Sequence, residues 1–162
     1  MNNGEVRPFP HIVAHKGLSG VCPENTLASF GAAVGLVVDE IETDLWGCRD
    51  GKLVVCHDPD ILRTTSVQGI ITEMDWADIK ERDAGSWFGT DWRGVCVPCL
   101  DEVLDRAHAH GIICNLFSNE ESLGHENIVE ESRERLQMGI DAILTNYANL
   151  LMTDKEFRNA SN

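Results

Sequence analysis

Positive charge is what this sequence is short of: 13 lysines and arginines face 27 aspartates and glutamates, for a formal net charge of −14. A surface of that sign repels nucleic-acid phosphates and anionic lipid headgroups, which excludes binding through a basic patch and leaves no nucleic-acid partner expected. Long apolar runs are missing as well. No stretch approaches the roughly 20 residues of a membrane-crossing helix, and Met1 to Pro10 is polar with two prolines rather than signal-like, so no membrane insertion and a cytoplasmic location are expected. Internal repeats and low-complexity segments are also lacking. What remains is 43% apolar and 25% charged residues in 162 positions, the profile of one globular domain spanning residues 1–162. A protein this acidic must import positive charge to handle an anionic ligand, and a divalent metal held by clustered carboxylates is the natural device.

A reducing compartment keeps the six cysteines, Cys22, Cys48, Cys56, Cys96, Cys99 and Cys114, as thiols. Cys96 and Cys99 form a C-x-x-C pair, but zinc would need two further ligands, and Cys114 with His108 or His110 is the nearby supply. Small apolar cysteines are the simpler reading of these positions.

Short β-rich runs alternate with helical patterns along the whole chain, which predicts an α/β fold of parallel βα units. The first strand is expected over His11 to His15, ending at a Gly-containing loop. Asn25 or Thr26 then caps a helix whose stripe is Leu27, Phe30 and Val34 and which stops near Gly35. In the next strand Glu40, Glu42 and Asp44 share one face. An Asp50-Gly51 turn leads to a third strand, Lys52 to Cys56, followed by His57. Ile61 to Val97 reads as a long loop on the active-site side with one short helix at Asp75 to Lys80. A helix over about Cys99 to His110 carries the stripe Leu100, Val103, Leu104 and Ala107. Ile112 to Phe117 is a fourth strand, Glu126 to Met138 a helix ended by Gly139, and Ala142 to Thr145 a fifth strand.

In a barrel strand the inward face is normally filled by bulky apolar side chains, so carboxylates there imply a bound ligand near the strand's C-terminal end. Glu42 and Asp44 project the same way, close enough for both to reach one hard cation through oxygen. His15 and His57 also fall at strand ends. Imidazole titrates near neutral pH, so two histidines beside a cation suit proton transfer at the two oxygens of a phosphodiester.

The blocks Ala14-His15-Lys16-Gly17, Pro23 to Phe30, Ile41-Glu42-Thr43-Asp44-Leu45, Asp50 to Asp58 and Leu62-Arg63-Thr64-Thr65 follow one another in a specific order. The sequence resembles the glycerophosphodiester phosphodiesterase family through these blocks, and on through Asp83 to Phe88 and Val97 to Leu104. Met138 to Asn146 is similar to the end of the same fold. The resemblance implies metal-dependent hydrolysis of a small-molecule glycerophosphodiester to glycerol phosphate and an alcohol. It implies that His15 and His57 are the acid/base pair, that Glu42 and Asp44 hold Mg2+ or Ca2+, and that Lys16 and Asn25 lie at the substrate phosphate. Lys16 stands where the family usually has arginine, so a point charge replaces a bidentate fork.

The middle of the chain is short for this pattern. A complete eight-stranded barrel takes about 250 residues, whereas five strands are expected here, so the fold reads as an incomplete (β/α) TIM-barrel-like one without the central strands. Missing with them is the family's Glu-x-Lys block, which supplies a third metal carboxylate; Glu120 or Glu121 is the positional substitute. If the last two strands pair beside the first, the spatial order is fourth, fifth, first, second, third. Exposed edges at Ile112 to Phe117 and Lys52 to Cys56 then predict a homodimer or higher homo-oligomer. The competing function is a non-catalytic relative that binds metal or phosphate and self-associates.

Overall fold

The structure, a computed structural model, describes residues 12–117, 134 and 137–144. Five strands, β1 (Val13–His15), β2 (Glu40–Gly47), β3 (Leu53–Val55), β4 (Ile113–Phe117) and β5 (Ala142–Leu144), form one sheet. The helices are α1 (Leu27–Gly35), α2 (Leu62–Thr65), α3 (Trp76–Ile79) and α4 (Leu100–His108), with short 3-10 turns at Ile71–Glu73 and Thr90–Trp92.

Alternation along β2 decides the layering. Ile41 and Leu45 join Ala14, Cys114 and Leu116 in a core with Phe30 and Ala33 of α1 and Val103, Leu104 and Ala107 of α4. Those helices therefore cover one face of the sheet, and Glu40, Glu42 and Asp44 belong to the other. The two longer helices begin where the sequence predicts. Thr26 caps α1 by accepting from the Ser29 amide at 3.2 Å, while the Ser29 hydroxyl accepts from the Thr26 amide at 3.4 Å, a reciprocal capping box. Glu102 closes the start of α4 by accepting from the Cys99 amide at 2.9 Å. Asp101 and Glu102 in its first turn and Arg106 and His108 in its last match the helix dipole.

The α/β class and the partial, barrel-like parallel sheet agree with expectation, but strand order and one direction do not. Spatial order is β1, β2, β4, β5, all parallel, and β3 pairs with β2 in the antiparallel sense. The last two strands thus add beside β2 rather than beside β1. The direction of β3 has a simple cause: a few residues around Asp50-Gly51 suffice for a hairpin, whereas a parallel return needs a crossover of a dozen or more. The predicted exposed edges fall with the predicted order. β4 lies inside the sheet between β2 and β5, and β3 is flanked on its far side by Pro98 and Cys99, with Val55 donating to the Pro98 carbonyl at 3.0 Å.

The segment read as a long loop carries its own core. Ile61, Ile71, Ile79, Ala84 and Val97 pack with Cys48, Val54 and Cys56 from the hairpin. His11, Thr145 and most of the helix expected over Glu126 to Met138 lie outside the described residues. At the end of that helix Met138 donates to the Glu134 carbonyl at 3.0 Å and Gly139 takes a φ of +99°.

Candidate active site

The loop after β1 is pinned from both ends. Its Lys16 and Asn25 adopt left-handed backbone at φ 57° and 55°, and the Asn25 amide donates to the Lys16 carbonyl at 3.0 Å. Two non-glycine residues held this way mark an over-determined loop. Gly17, at φ 76°, passes so near α1 that a Cβ there would come within 2.7 Å of the Ser29 carbonyl carbon. Ser29 also donates from its hydroxyl to the Lys16 carbonyl at 2.9 Å, joining the helix cap to the loop.

This loop covers the acidic face of β2. His15 pairs in register with Glu42, and its Nε2 lies 3.9 Å from Glu42 Oε2. The Lys16 amide donates to that same oxygen at 3.0 Å. Asn25, buried, donates from Nδ2 to Asp44 Oδ2 at 2.9 Å. Glu42 and Asp44 are only 5% and 8% exposed, whereas the His15 side chain is 72% exposed, so an accessible imidazole stands over two sequestered carboxylates. Burial, and then the neighbouring Asp44 charge, push the Glu42 carboxyl above the ordinary carboxylate range.

His57 is held differently. Its Nδ1 donates to Asp58 Oδ1 at 2.7 Å, because a carboxylate can only accept, and this leaves Nε2 for another partner. Asp58 in turn accepts from Arg63 Nε at 2.5 Å, and Arg63 donates to both oxygens of Glu24 at 2.7 and 3.2 Å. Lys16 Nζ completes the chain, 3.5 Å from Glu24. Burial by itself would raise Glu24, but Arg63, with Lys16, overrides it and holds the carboxyl below the usual range. Asp58 behaves alike: burial opposes, and Arg63 with His57 wins. Glu24 and Asp58 together raise the Arg63 guanidinium.

The two groups meet at Asn25. It holds Asp44 on one side, and with Glu24, Cys56 and His57 it lines a small crevice on the other. The Cys56 amide also donates to the Asp44 carbonyl at 3.1 Å, which fixes His57 next to the carboxylate strand. All six predicted residues, His15, Lys16, Asn25, Glu42, Asp44 and His57, are therefore linked through one contact network. A larger groove of about 670 Å³, lined by Lys52, Trp76, Lys80, Cys96 and Cys99 among others, includes none of them. Its cysteines are free thiols, and burial raises both.

Sequence reasoning missed Glu24, Asp58 and Arg63 as a unit, although each lies inside a block already singled out. It also missed Asn115 on β4. Asn115 pairs in register with Glu42 and donates from Nδ2 to Glu40 at 3.3 Å, while its Oδ1 is buried without a hydrogen-bond partner among the described residues. Such an orphan typically costs about 1–3 kcal/mol.

The donor set fits a hard divalent cation. Glu42 and Asp44 offer buried oxygen ligands on one face, and burial together with the adjacent Asp44 charge disfavours the ionised Glu42, a cost that a bound cation would offset. Among the described residues no three His, Cys, Asp or Glu side chains converge as a metal-binding group. Glu120 and Glu121 lie outside the described residues.

Residues 15–149 match the Glycerophosphoryl diester phosphodiesterase family. A Bacillus subtilis protein named glycerophosphodiester phosphodiesterase is 44% identical over 106 residues, which cover 60% of this chain and 36% of that protein. The structure of an Oleispira antarctica phosphodiesterase in complex with its product sn-glycerol-3-phosphate is similar at 32% identity with a TM-score of 0.73, covering 91% of this chain and 62% of that one. A glycerophosphodiester phosphodiesterase structure from Agrobacterium tumefaciens is similar at 29% identity and a TM-score of 0.67, covering 94% and 62% respectively. The chain thus spans between about a third and two thirds of the length of these relatives.

Proposed function

The chain belongs to the glycerophosphoryl diester phosphodiesterase family, and from that premise we propose that it cleaves glycerophosphodiesters to glycerol phosphate and an alcohol. The observation that carries this reading is the linkage of His15, Glu42, Asp44 and Asn25 at the C-terminal end of the parallel strands, where such folds bind ligands, with His57 brought to them by the antiparallel β3. The similarity to a phosphodiesterase solved with sn-glycerol-3-phosphate supports the substrate class.

In this mechanism Glu42 and Asp44 hold a divalent cation, Mg2+ or Ca2+. When bound, it supplies the positive charge that lets a phosphodiester approach a chain of net charge −14. Lys16 adds a further cation at the phosphate, while Glu24 keeps its ammonium near the mouth. Asn25 is locked by its own left-handed backbone and by Asp44, so it orients the phosphate without loss of side-chain freedom on binding. His57, with Nδ1 on Asp58, exchanges a proton through Nε2, and the exposed His15 exchanges one on the opposite side. One histidine takes the proton of the attacking hydroxyl and the other gives one to the departing alkoxide.

The test is release of glycerol phosphate from glycerophosphocholine, with and without EDTA, by the wild-type chain and by His15→Ala. Turnover abolished by either treatment supports the proposal; turnover indifferent to both rejects it.

A second reading, a family member that binds metal or phosphate and self-associates without turnover, is favoured by one observation: among the described residues no third His, Cys, Asp or Glu joins Glu42 and Asp44 as a metal-binding group. Ile12 and Val13 on the β1 side and Ile113 on the acidic face are exposed apolar groups that a second copy would cover. Metal binding without glycerol phosphate release, with a dimer mass by sedimentation, would select it.

A further inference from the structure

We propose that Asn115 is a ligand of the cation held by Glu42 and Asp44, its amide oxygen serving as a third protein donor. The inference rests on the metal site proposed above and goes beyond it by assigning a neutral side chain from β4. Three strands place the groups. His15 on β1, Glu42 on β2 and Asn115 on β4 form one row across the parallel sheet, His15 paired with Glu42 and Glu42 with Asn115. Parallel strands lie about 4.8 Å apart, and paired residues point to the same face, so Asn115 and Glu42 face the same space as immediate neighbours.

The amide's orientation is chemically determined. Nδ2 donates to Glu40 Oε2 at 3.3 Å. Rotating the amide would set Oδ1 against that carboxylate, acceptor against acceptor. Because the amide is planar, fixing Nδ2 on Glu40 turns Oδ1 away from it. That oxygen is buried and has no hydrogen-bond partner among the described residues, a condition proteins seldom leave uncompensated.

A hard cation is the partner that suits all three neighbours. Asn carbonyl oxygens are ordinary ligands of calcium, and they also complete the oxygen-only sets that exclude softer ions. A neutral donor has a further advantage here. A third carboxylate would add to the repulsion among Glu40, Glu42 and Asp44, whereas an amide oxygen contributes coordination without charge.

Calcium and magnesium titrated calorimetrically into the full chain test the assignment, using wild type, Asn115→Leu and Asn115→Asp. Europium luminescence lifetimes in H2O and D2O count the waters left on a bound ion. Asn115→Leu is expected to weaken binding at least about tenfold and to admit about one extra coordinated water, a signature that loss of a purely structural hydrogen bond would not produce. Unchanged affinity and water count in Asn115→Leu would overturn the proposal, as would transfer of the whole loss to Glu120→Gln or Glu121→Gln. Should Asn115→Leu fail to fold, Asn115→Asp decides. It is expected to bind the metal more tightly while its metal-free form melts lower, and equal or weaker binding counts against the assignment. Wild-type protein that binds neither metal defeats the underlying site as well; binding that ignores residue 115 defeats the ligand assignment alone.

Discussion

The two halves of the mouth are built on opposite principles. The His15 half is fixed by backbone geometry and burial: strand register with Glu42, a left-handed loop, a glycine packed against a capped helix, and the two sequestered carboxylates Glu42 and Asp44. The His57 half is fixed by charge, through a chain running from Lys16 to Glu24, Arg63, Asp58 and His57. Cation and anion alternate in the second half, whereas the first half holds two buried carboxylates side by side, and it is there that a proposed cation would find oxygen ligands.

The comparison can be broken most forcefully by removing either histidine. His15→Ala and His57→Ala should each lower turnover by about 10²–10⁴-fold in the glycerophosphocholine assay, as expected for paired proton-transfer groups. A large loss from only one of them would mean that the halves do not act together. The next largest effect is structural and confined to the first half. Gly17→Ala forces a side chain into left-handed backbone and into Ser29, and should cost about 2 kcal/mol or more in urea unfolding.

The second half should respond to charge and to pH. Arg63→Met removes the partner of both Glu24 and Asp58 and should cost about 1 kcal/mol, kept small because the Arg63 side chain is 43% exposed. Glu24 and Asp58 are depressed in the folded protein, so the unfolded chain binds their protons more readily. The stabilisation is therefore complete above the ordinary carboxylate range of about pH 4–4.5 and disappears as pH falls through the depressed values. The difference in Tm between wild type and Arg63→Met should accordingly shrink between pH 7 and pH 3; a constant difference would show that Arg63 acts by packing, including its contact over Trp87. The smallest effect serves as the control. Arg49 and Asp75 form a bidentate pair away from the mouth, with side chains 60% and 41% exposed, and Asp75→Asn should leave Tm nearly unchanged and turnover intact.

Local signals in the sequence were read well where a short stretch determines the outcome. All four residues of the stripe Leu100, Val103, Leu104 and Ala107 are buried, and the acidic residues of β2 lie opposite the helix-facing Ile41 and Leu45. In α1 the stripe rotates slightly: Phe30 is fully buried, Leu27 and Val34 pack at the core's margin, and Ala33 takes the interior place. The direction of β3 was legible and misread, since an Asp-Gly turn between two short strands announces a hairpin. Strand order was not legible. It depends on which apolar faces meet across long separations, and β4 settles beside β2 with Cys114 and Leu116 entering the core that Ile41 shares with α1 and α4. The ion-pair chain was hidden for a similar reason, because Glu24 and Arg63 are 39 positions apart and nothing local couples them. Asn115 gave no sequence signal at all; only its register against Glu42 distinguishes it.

The buried pair Glu42 and Asp44 is the proposed cation site on which the mechanism depends. Calorimetric titration of Ca2+ and Mg2+ into the wild-type chain and into Asp44→Asn tests it most directly. One saturable site in the wild type, lost or weakened by at least about tenfold in the variant, is the predicted result. Wild-type protein that takes up neither ion, or a variant that binds as tightly as the wild type, would contradict it.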